Sequence, residues 1–400
     1  MSDHSEATTP KAETFDIKDA GTLPKIFLMA GAVGAVGSLL GLFVSGSAQF
    51  AHSWLFAFAY CFTVCVGALF WTCLHHATDA EWSVVVRRVL ENIAILIPYL
   101  AVAFIPLLFC IPILWDWWNI NPDHDALLHA KAGYLWKPFF IVRIFIYFGL
   151  LGWVAASLRK RSIAQDRDGA ATHTLSMRKF GIGGIPAVAV CLTFAAVDWL
   201  MGLDYKWFST MWGVYIFAGA AGSSMSLLVL ITTLLKKKGY LSVVNQEHYH
   251  IMGKFMLAFT VFWAYIGFSQ YMLIWYANIP EETIYFRIRN TESWWWFSQS
   301  LVICRFWLPF PVLLFQFTKK SNLINFCAIW ILLMQVLDLF VIVLPALHPT
   351  GVHFSDLLFS ACSLIAIAGP LCWLFLKKLS SAHLFPKRDP RLAGSLKLTN

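Results

Sequence analysis

Ten long apolar stretches occupy most of this 400-residue chain, and they leave little room for any fold other than a bundle of membrane-spanning helices. Each stretch is long enough, at about 1.5 Å per residue, to cross an apolar layer of about 30 Å. They are apolar on every face, whereas the strands of a membrane barrel alternate polar and apolar residues. The sequence therefore predicts an all-α polytopic membrane protein with ten transmembrane helices. The predicted spans are residues 26–43, 54–74, 89–114, 138–158, 181–200, 210–235, 255–276, 294–317, 323–344 and 354–376.

Lysine and arginine are distributed unevenly among the segments that connect these spans. The N-terminal tail, the loops after spans 2, 4, 6 and 8, and the C-terminal tail carry 23 of the 30 basic residues. Cytoplasmic loops of membrane proteins carry such an excess, so both termini are predicted to be cytoplasmic. The net charge of +8 reflects this bias and does not indicate nucleic-acid binding.

Charged residues inside the apolar stretches recur at matching places in the two halves of the chain. Arg143 in span 4 is followed by Asp198 in span 5, and Arg305 in span 8 is followed by Asp338 in span 9. This pattern indicates two four-helix bundles related by an axis along the membrane normal, with the first and tenth helices peripheral. The predicted segments are a cytoplasmic tail at 1–25, an anchor helix at 26–46, bundles at 52–203 and 209–345, a tenth helix at 353–378 and a cytoplasmic tail at 379–400.

A lone charge in hydrocarbon is costly, so we expect Arg143 to pair with Asp198 and Arg305 to pair with Asp338. Each pair has two interpretations. It can be an ion pair that holds two helices together, or it can bind a quinone headgroup or relay a proton. Amides and phenols within the spans, such as Gln335 and Tyr147, can likewise bridge water or join helices.

A second group of titratable residues lies at the predicted cytoplasmic ends of two spans. Histidine titrates near neutral pH, and burial can raise a carboxyl pKa toward that range, so such residues can collect protons at the mouth of a half-channel. The alternative is a solvated helix end with capping carboxylates. The group consists of His75, His76, Asp79 and Glu81 after span 2, and of His248, His250 and Lys254 at the start of span 7.

The predicted outer end of span 7 has the composition of a membrane interface. Trp275 and Tyr276 are typical of an aromatic belt, and Pro280 ends the helix. The acidic pair Glu281 and Glu282 follows. These two residues are either simply solvated or form a docking lip for a basic partner protein.

Three kinds of residue carry further information, on helix packing and on cofactors. Four glycines at helical spacing in span 1 predict close helix packing. All nine cysteines lie within the predicted spans without a CxxC pair, which favours buried thiols over metal ligands or disulfides. The histidines lie at span ends, in loops or in tails, so the chain is predicted to bind no metal, haem or iron–sulfur cluster of its own. The four glycines are Gly31, Gly34, Gly37 and Gly41.

Several longer segments resemble a known family. They are Phe-Trp-Ala-Tyr-Ile-Gly-Phe-Ser-Gln-Tyr at 262–271 with Trp-Tyr-Ala-Asn-Ile-Pro-Glu-Glu-Thr at 275–283, Trp-Ser-Val-Val-Val-Arg-Arg at 82–88, Asp-Trp-Leu-Met at 198–201, and the stretch 207–215. These segments resemble the ActF-type subunits of bacterial alternative complex III, the quinol:cytochrome c oxidoreductase, which belong to the NrfD-like (polysulfide-reductase) membrane family. The resemblance extends from span 2 to span 10.

The resemblance implies paired four-helix bundles in a respiratory complex of the bacterial inner membrane. Such a complex oxidises menaquinol or ubiquinol and passes electrons, through an iron–sulfur subunit and multihaem cytochrome c subunits, to cytochrome c or a terminal oxidase. The sister NrfD-like subunit is credited with the quinol site. The subunit that this chain resembles is cofactor-free, without catalytic residues, and is associated with a proton pathway. The resemblance does not decide whether that subunit also binds a quinone.

That proton pathway would add Asp198 and Asp338 to the titratable residues above. The family pattern also has His-Asp before the Gly-Lys that opens span 7, whereas this chain reads His-Ile-Met-Gly-Lys at 250–254, without the carboxylate. Two other functions fit the same residues. A self-contained secondary transporter would also use repeated bundles and buried charges, and a purely structural scaffold needs only the helix packing.

Overall fold

The computed structural model describes residues 13–320 and 322–399, so the first twelve residues of the predicted N-terminal tail, Ser321 and Asn400 lie outside the described residues. The described residues contain no strand and ten helices long and apolar enough to cross a membrane, which confirms the predicted fold class. The helices are α1 Leu23–Val44, α2 Gly46–Ala77, α3 Glu81–Phe109, α4 Lys137–Asp168, α5 Ala171–Leu203, α6 Trp212–Lys237, α7 Gln246–Ala277, α8 Glu292–Leu314, α9 Leu323–Ala346 and α10 Phe354–Leu379.

Several helices extend beyond the predicted spans at one end of the molecule, which we call the basic end because it carries the Lys- and Arg-rich connections. The predicted loop 159–180 is helical throughout apart from two residues: α4 continues to Asp168, and α5 begins at Ala171. Gly169 ends α4 in the left-handed region at φ 70°, which glycine adopts without steric cost. The hydropathy pattern marks only the part of a helix that crosses the apolar layer, so it missed these polar turns.

Helix α3 begins well before the predicted span at residue 89. A 3-10 turn, Glu81–Ser83, leads into Val84–Ala94, and after a short break the helix resumes at Ile97–Phe109. Arg87 and Arg88, predicted to lie in the loop after span 2, are therefore inside a helix and fully buried. The prediction of a loop was wrong because the two arginines interrupt the apolar pattern from which the span was read. They can be buried because they form ion pairs with distant residues.

Helix α8 changes its winding along its length. It begins as an α-helix, Glu292–Ser300, continues as a π-helix, Leu301–Trp307, and ends with Pro309–Leu314. Pro309 has no N–H, and its ring would collide with the carbonyl group of Arg305 in a regular α-helix, so wider winding before it removes the conflict. Phe315 is extended at ψ 142° and ends the helix before the predicted boundary at residue 317.

The helices pack as two four-helix bundles side by side. In the first bundle α2 packs against α3 and α5, and α4 packs against α5; in the second, α6 packs against α7 and α9, with α8 contacting both. Helices α2 and α5 both contact α6 and join the bundles, and α2 is the most buried of the ten. A Cβ atom at Gly67 would collide with the backbone of Ala220, which shows how closely α2 and α6 approach.

Helices α1 and α10 form an antiparallel pair at the side of the bundles. The small residues of α1 face α10: a Cβ atom at Gly34 would lie 2.5 Å from the backbone nitrogen of Ala366, and one at Gly31 would lie 2.7 Å from Pro370. Without a hydrophobic driving force between helices in lipid, such close backbone approach is what holds a peripheral pair together. The predicted packing role of the glycine stripe is confirmed.

The predicted C-terminal tail folds back over the basic end of α2 and α3. We call residues 380–399 the C-terminal cap; it contains a short helix, α11, Leu392–Leu396. Two of its own residues, Leu384 and Phe385, are fully buried. Its start is joined to the N-terminal segment by an isolated β-bridge between Thr14 and His383.

Candidate functional site

In the first bundle, Asp198 of α5 accepts four hydrogen bonds. Arg143 of α4 donates from Nε at 2.7 Å and from Nη2 at 2.8 Å, and the Tyr134 and Tyr147 hydroxyls donate at 2.7 and 2.6 Å. Burial and the charge of Asp198 raise the pKa of Tyr134 well above its ordinary value, so its phenol stays a donor. Arg143 also donates to the Tyr134 carbonyl at 2.7 Å and lies 4.0 Å from the Tyr134 ring centroid.

In the second bundle, Asp338 of α9 has equivalent contacts from different elements. Nη1 of Arg305 lies 2.7 Å from Oδ2 of Asp338, and the Tyr215 hydroxyl donates to Oδ1 at 2.5 Å. Trp263 of α7 donates to Oδ2 at 3.2 Å, and Arg305 donates to Oε1 of Gln335 at 2.5 Å. The arginine–aspartate pair recurs in both bundles, but the neutral donors around it do not.

The two carboxylates are almost saturated by protein donors. A carboxylate has about four acceptor sites, and all four on Asp198 are occupied by Arg143, Tyr134 and Tyr147. Such a group needs no ligand to be satisfied, and removing any one donor would leave a buried charge poorly compensated. The geometry therefore favours pairs that hold helices together over sites that bind a headgroup.

At the basic end, the two buried arginines of α3 surround Glu91, which is also buried. Nε of Arg87 lies 3.3 Å from Oε1 of Glu91, and Nε of Arg88 lies 3.3 Å from Oε2. Arg88 reaches α4 as well, donating to Asp166 at 3.0 Å and to the Ser162 hydroxyl at 3.0 Å. The sequence places Arg87 and Arg88 four and three residues before Glu91, the spacing at which side chains share a helix face.

The C-terminal cap completes this ionic network. Asp389 accepts from Arg87 at 2.8 Å and from Arg391 at 2.9 Å, and Arg391 donates to Asp79 at 3.2 Å. Asp79 also accepts a hydrogen bond from Arg178 of α5. Burial alone would raise the pKa of Asp389, but the Arg87 and Arg391 charges and hydrogen bonds outweigh it and hold the pKa below its ordinary value of 3.8. The network therefore joins α3, α4, α5, the connection between α2 and α3, and the cap through ion pairs.

His75 and His76 lie beneath the cap, in the last turn of α2. Both are almost completely buried, at 1% and 0% exposure. His76 Nε2 lies 3.9 Å from Glu91, beyond hydrogen-bond distance, and none of the four ring nitrogens bonds to a described residue. The His75 ring instead lies 5.0 Å from Trp82 and 5.8 Å from Trp71, centroid to centroid. The alternative of a solvated helix end is therefore wrong for these histidines, because they are buried behind Trp71 and the turn that holds Trp82, and the cap packs on that turn.

The other predicted residues of this group have separate roles. His248 is buried and forms a capping box with Asn245 at the start of α7, and its Nε2 lies 3.5 Å from the Ser395 hydroxyl of the cap. His250 is buried, whereas Lys254 is exposed. Glu81 is exposed and lies against α11, where a Cβ atom at Gly394 would collide with its carboxylate.

The structure thus separates the predicted site residues into two groups at opposite ends of the helices. Arg143 lies in the second turn of α4 and Asp198 near the end of α5, away from the basic end, whereas His75 and His76 end α2 at the basic end. The acidic pair, Glu281 and Glu282, forms the first turn of the short helix Pro280–Arg289, where carboxylates suit the positive end of the helix dipole.

Two sets of important residues were missed from the sequence. Glu91 carried a signal, since it is a carboxylate inside a predicted span with two arginines at helical spacing before it. Asp389 and Arg391 carried none, because their partners lie about 300 positions earlier in the chain. Among the described residues, no group of three or more His, Cys, Asp or Glu side chains is arranged to hold a metal ion. Comparison of the sequence with protein-family models and with curated proteins gives no match.

Proposed function

We propose that this chain is a membrane subunit of a quinol-oxidising respiratory complex of the alternative complex III type, in the bacterial inner membrane with both termini cytoplasmic. The segments at 262–283, 82–88 and 198–215 support the assignment by their resemblance to that family, and the two-bundle architecture is compatible with it. In this proposal haem c and iron–sulfur clusters belong to partner subunits, which are the sister NrfD-like subunit, an iron–sulfur subunit and multihaem cytochromes. This chain contributes proton handling.

The observation that carries the proton role is the imidazole pair at the end of α2. Buried polar groups in proteins are almost always hydrogen-bonded, yet all four ring nitrogens of His75 and His76 have no partner among the described residues. A small polar molecule such as water is the partner that two buried imidazoles require. Imidazoles with water between them can accept a proton on one nitrogen and release it from the other.

The residues around the histidines set the charge at this point. Glu91 lies between Arg87 and Arg88, whose Nε atoms are 3.3 Å from its oxygens, and its carboxyl group is 3.9 Å from His76, where an imidazolium would need a negative partner. Asp79 and Glu81 lie closer to solvent than the histidines. Asp79 is held by Arg178 and Arg391, so Glu81 is the exposed carboxylate at the entrance. The cap lies over the path, so proton entry would pass between the cap and α2.

A secondary transporter is the main alternative, because parallel repeats with buried charges also serve transport. Purification distinguishes the two functions. A transporter would be isolated alone, whereas a respiratory subunit carrying an affinity tag would bring c-type haem proteins and quinol:cytochrome c reductase activity with it. Isolation as a single haem-free species from membranes of the native host would refute the proposal.

The proton role is tested on the assembled complex in sealed vesicles. Replacing His75 and His76 together by leucine, or Asp79→Asn together with Glu81→Gln, should lower the number of protons taken up per electron. Quinol oxidation should continue, because the redox groups are assigned to other subunits. His129→Gln, at an exposed histidine of the opposite end, is the matched control and should change neither quantity. An unchanged proton-to-electron ratio in both assembled variants would leave a structural scaffold as the function.

A further inference from the structure

A cavity of about 510 Å³ opens at the basic end of the second bundle, away from the histidine pair. It lies where α6 ends, where α7 begins and where the connection from α8 enters α9. Four lysines line it, and they come from two segments far apart in the sequence: Lys236 and Lys237 from the end of α6, and Lys319 and Lys320 from the segment before α9. This size is within the usual range of ligand pockets in proteins.

Only part of this positive charge is compensated by the protein. Lys320 pairs with Glu247 of α7. The Lys236 ammonium group donates to the carbonyl oxygen of Val244 at 2.5 Å, and that of Lys319 donates to the carbonyl oxygen of Leu313 at 2.6 Å. Neither forms an ion pair with a carboxylate of the described residues. Lys237 is exposed and donates no hydrogen bond to a described residue.

The cavity also has polar groups from the helices themselves. The Thr233 hydroxyl donates to Oδ1 of Asn325 at 2.8 Å and lies 3.2 Å from the Tyr249 hydroxyl. With Oδ1 used in this way, the amide nitrogen of Asn325 keeps two donors with no partner among the described residues. Two long helices, α7 and α9, begin at this cavity, and the positive ends of their dipoles outnumber the negative end of α6 and add to the field of the lysines.

We infer that this cavity binds the phosphate group of an anionic ligand, and that the ligand is an anionic phospholipid of the adjoining leaflet. Ammonium and amide donors without carboxylate partners are the groups that recognise a phosphate. Basic pockets between membrane helices on the cytoplasmic side bind anionic headgroups, while the acyl chains stay in the surrounding lipid. Free phosphate offers the same chemistry and is the other source that the experiment distinguishes. The inference does not depend on the proposed respiratory function.

The test uses the purified full-length protein in its native assembly, in nanodiscs of phosphatidylcholine with increasing fractions of phosphatidylglycerol. Lipid retained by the protein is measured after delipidation by native mass spectrometry, and inorganic phosphate is titrated in parallel at constant ionic strength. The variant is Lys236→Gln with Lys237→Gln. The matched control is Lys377→Gln with Lys378→Gln, a lysine pair at the same end of the molecule that does not line the cavity. Lys237→Gln alone is the fallback should the double variant misfold.

The wild type should retain phosphatidylglycerol in preference to phosphatidylcholine. Each basic residue near an anionic surface contributes about 1 kcal/mol, so removing two should reduce the preference for phosphatidylglycerol about thirty-fold. The control variant should keep the wild-type preference. Binding of inorganic phosphate in the titration, with no effect of lipid composition on retention, would assign the cavity to free phosphate. Equal losses in both double variants, or no selective retention by the wild type, would overturn the inference.

Discussion

The carboxylate of Asp198 accepts four hydrogen bonds, so the effect of Tyr147→Phe on stability should depend on whether that carboxylate is present. A simple ion pair between Arg143 and Asp198 would not predict this dependence. Asp198→Leu removes the acceptor of four hydrogen bonds and leaves the Arg143 charge buried, so we expect a loss of about 3 to 5 kcal/mol in the free energy of unfolding. Arg143→Met should cost somewhat less, because the Tyr134 and Tyr147 hydroxyls still donate to the carboxylate. The double variant should cost less than the sum of the two single changes, since no unpaired charge is left.

In the double variant, the buried hydroxyl of Tyr147 and the half-buried hydroxyl of Tyr134 are left without their acceptor. Tyr147→Phe should therefore destabilise the wild type by about 1.5 to 3 kcal/mol, because it removes a hydrogen bond to a charged group. In the background of the double variant the same change should be neutral or stabilising by about 1 to 3 kcal/mol, because it removes an unsatisfied hydroxyl. Tyr271→Phe, at a tyrosine exposed on α7, should have little effect in either background.

The measurement is unfolding of the purified protein in mixed micelles by titration with a denaturing detergent, with tryptophan fluorescence as the signal. Refolding from the denaturing detergent establishes that the transition is reversible. Additive effects of Asp198→Leu and Arg143→Met would refute the pairing. An equal cost of Tyr147→Phe in both backgrounds would refute the argument from saturation.

Three further predictions concern topology, the cap and the peripheral helices. A reporter fused after Asn400 should be cytoplasmic and one inserted near Asp123 external, because the basic residues are concentrated on one side; either opposite result would invalidate the ten-span orientation. Asp389→Asn should cost about 3 kcal/mol at neutral pH and make the cap sensitive to protease, with Asp123→Asn as control. Because the folded-state pKa of Asp389 is depressed, its stabilisation is present above pH 3.8 and lost as the pH falls below that value, so the difference between wild type and variant should shrink there. Gly34→Val should separate α1 from α10, lowering the midpoint of thermal unfolding, whereas Gly149→Ala, which meets open space, should not.

The paired charges and the cap illustrate how far sequence reasoning reaches in this protein. Arg143, Asp198, Arg305 and Asp338 stand out in the sequence because any charge within a long apolar run must find compensation. Their partners Tyr134, Tyr215 and Trp263 do not stand out, since aromatic residues are common in membrane helices. His75 and His76 were recognised as titratable, but whether they face water or a protein interior depends on where the cap, more than 300 residues later, comes to lie.

The sequence by itself determined the number of membrane helices, the fold class and the division into two bundles. Each of these depends on hydropathy, helical length and the cost of a charge in hydrocarbon, which are properties of short segments. Tertiary structure alone decided that Arg87, Arg88 and Glu91 are buried, that the C-terminal cap packs on the turn that covers the histidine pair, and that lysines of α6 and of the segment before α9 share one cavity. Those contacts join residues separated by up to about 300 positions, and the free energy of burying a charge depends on which of those partners reaches it.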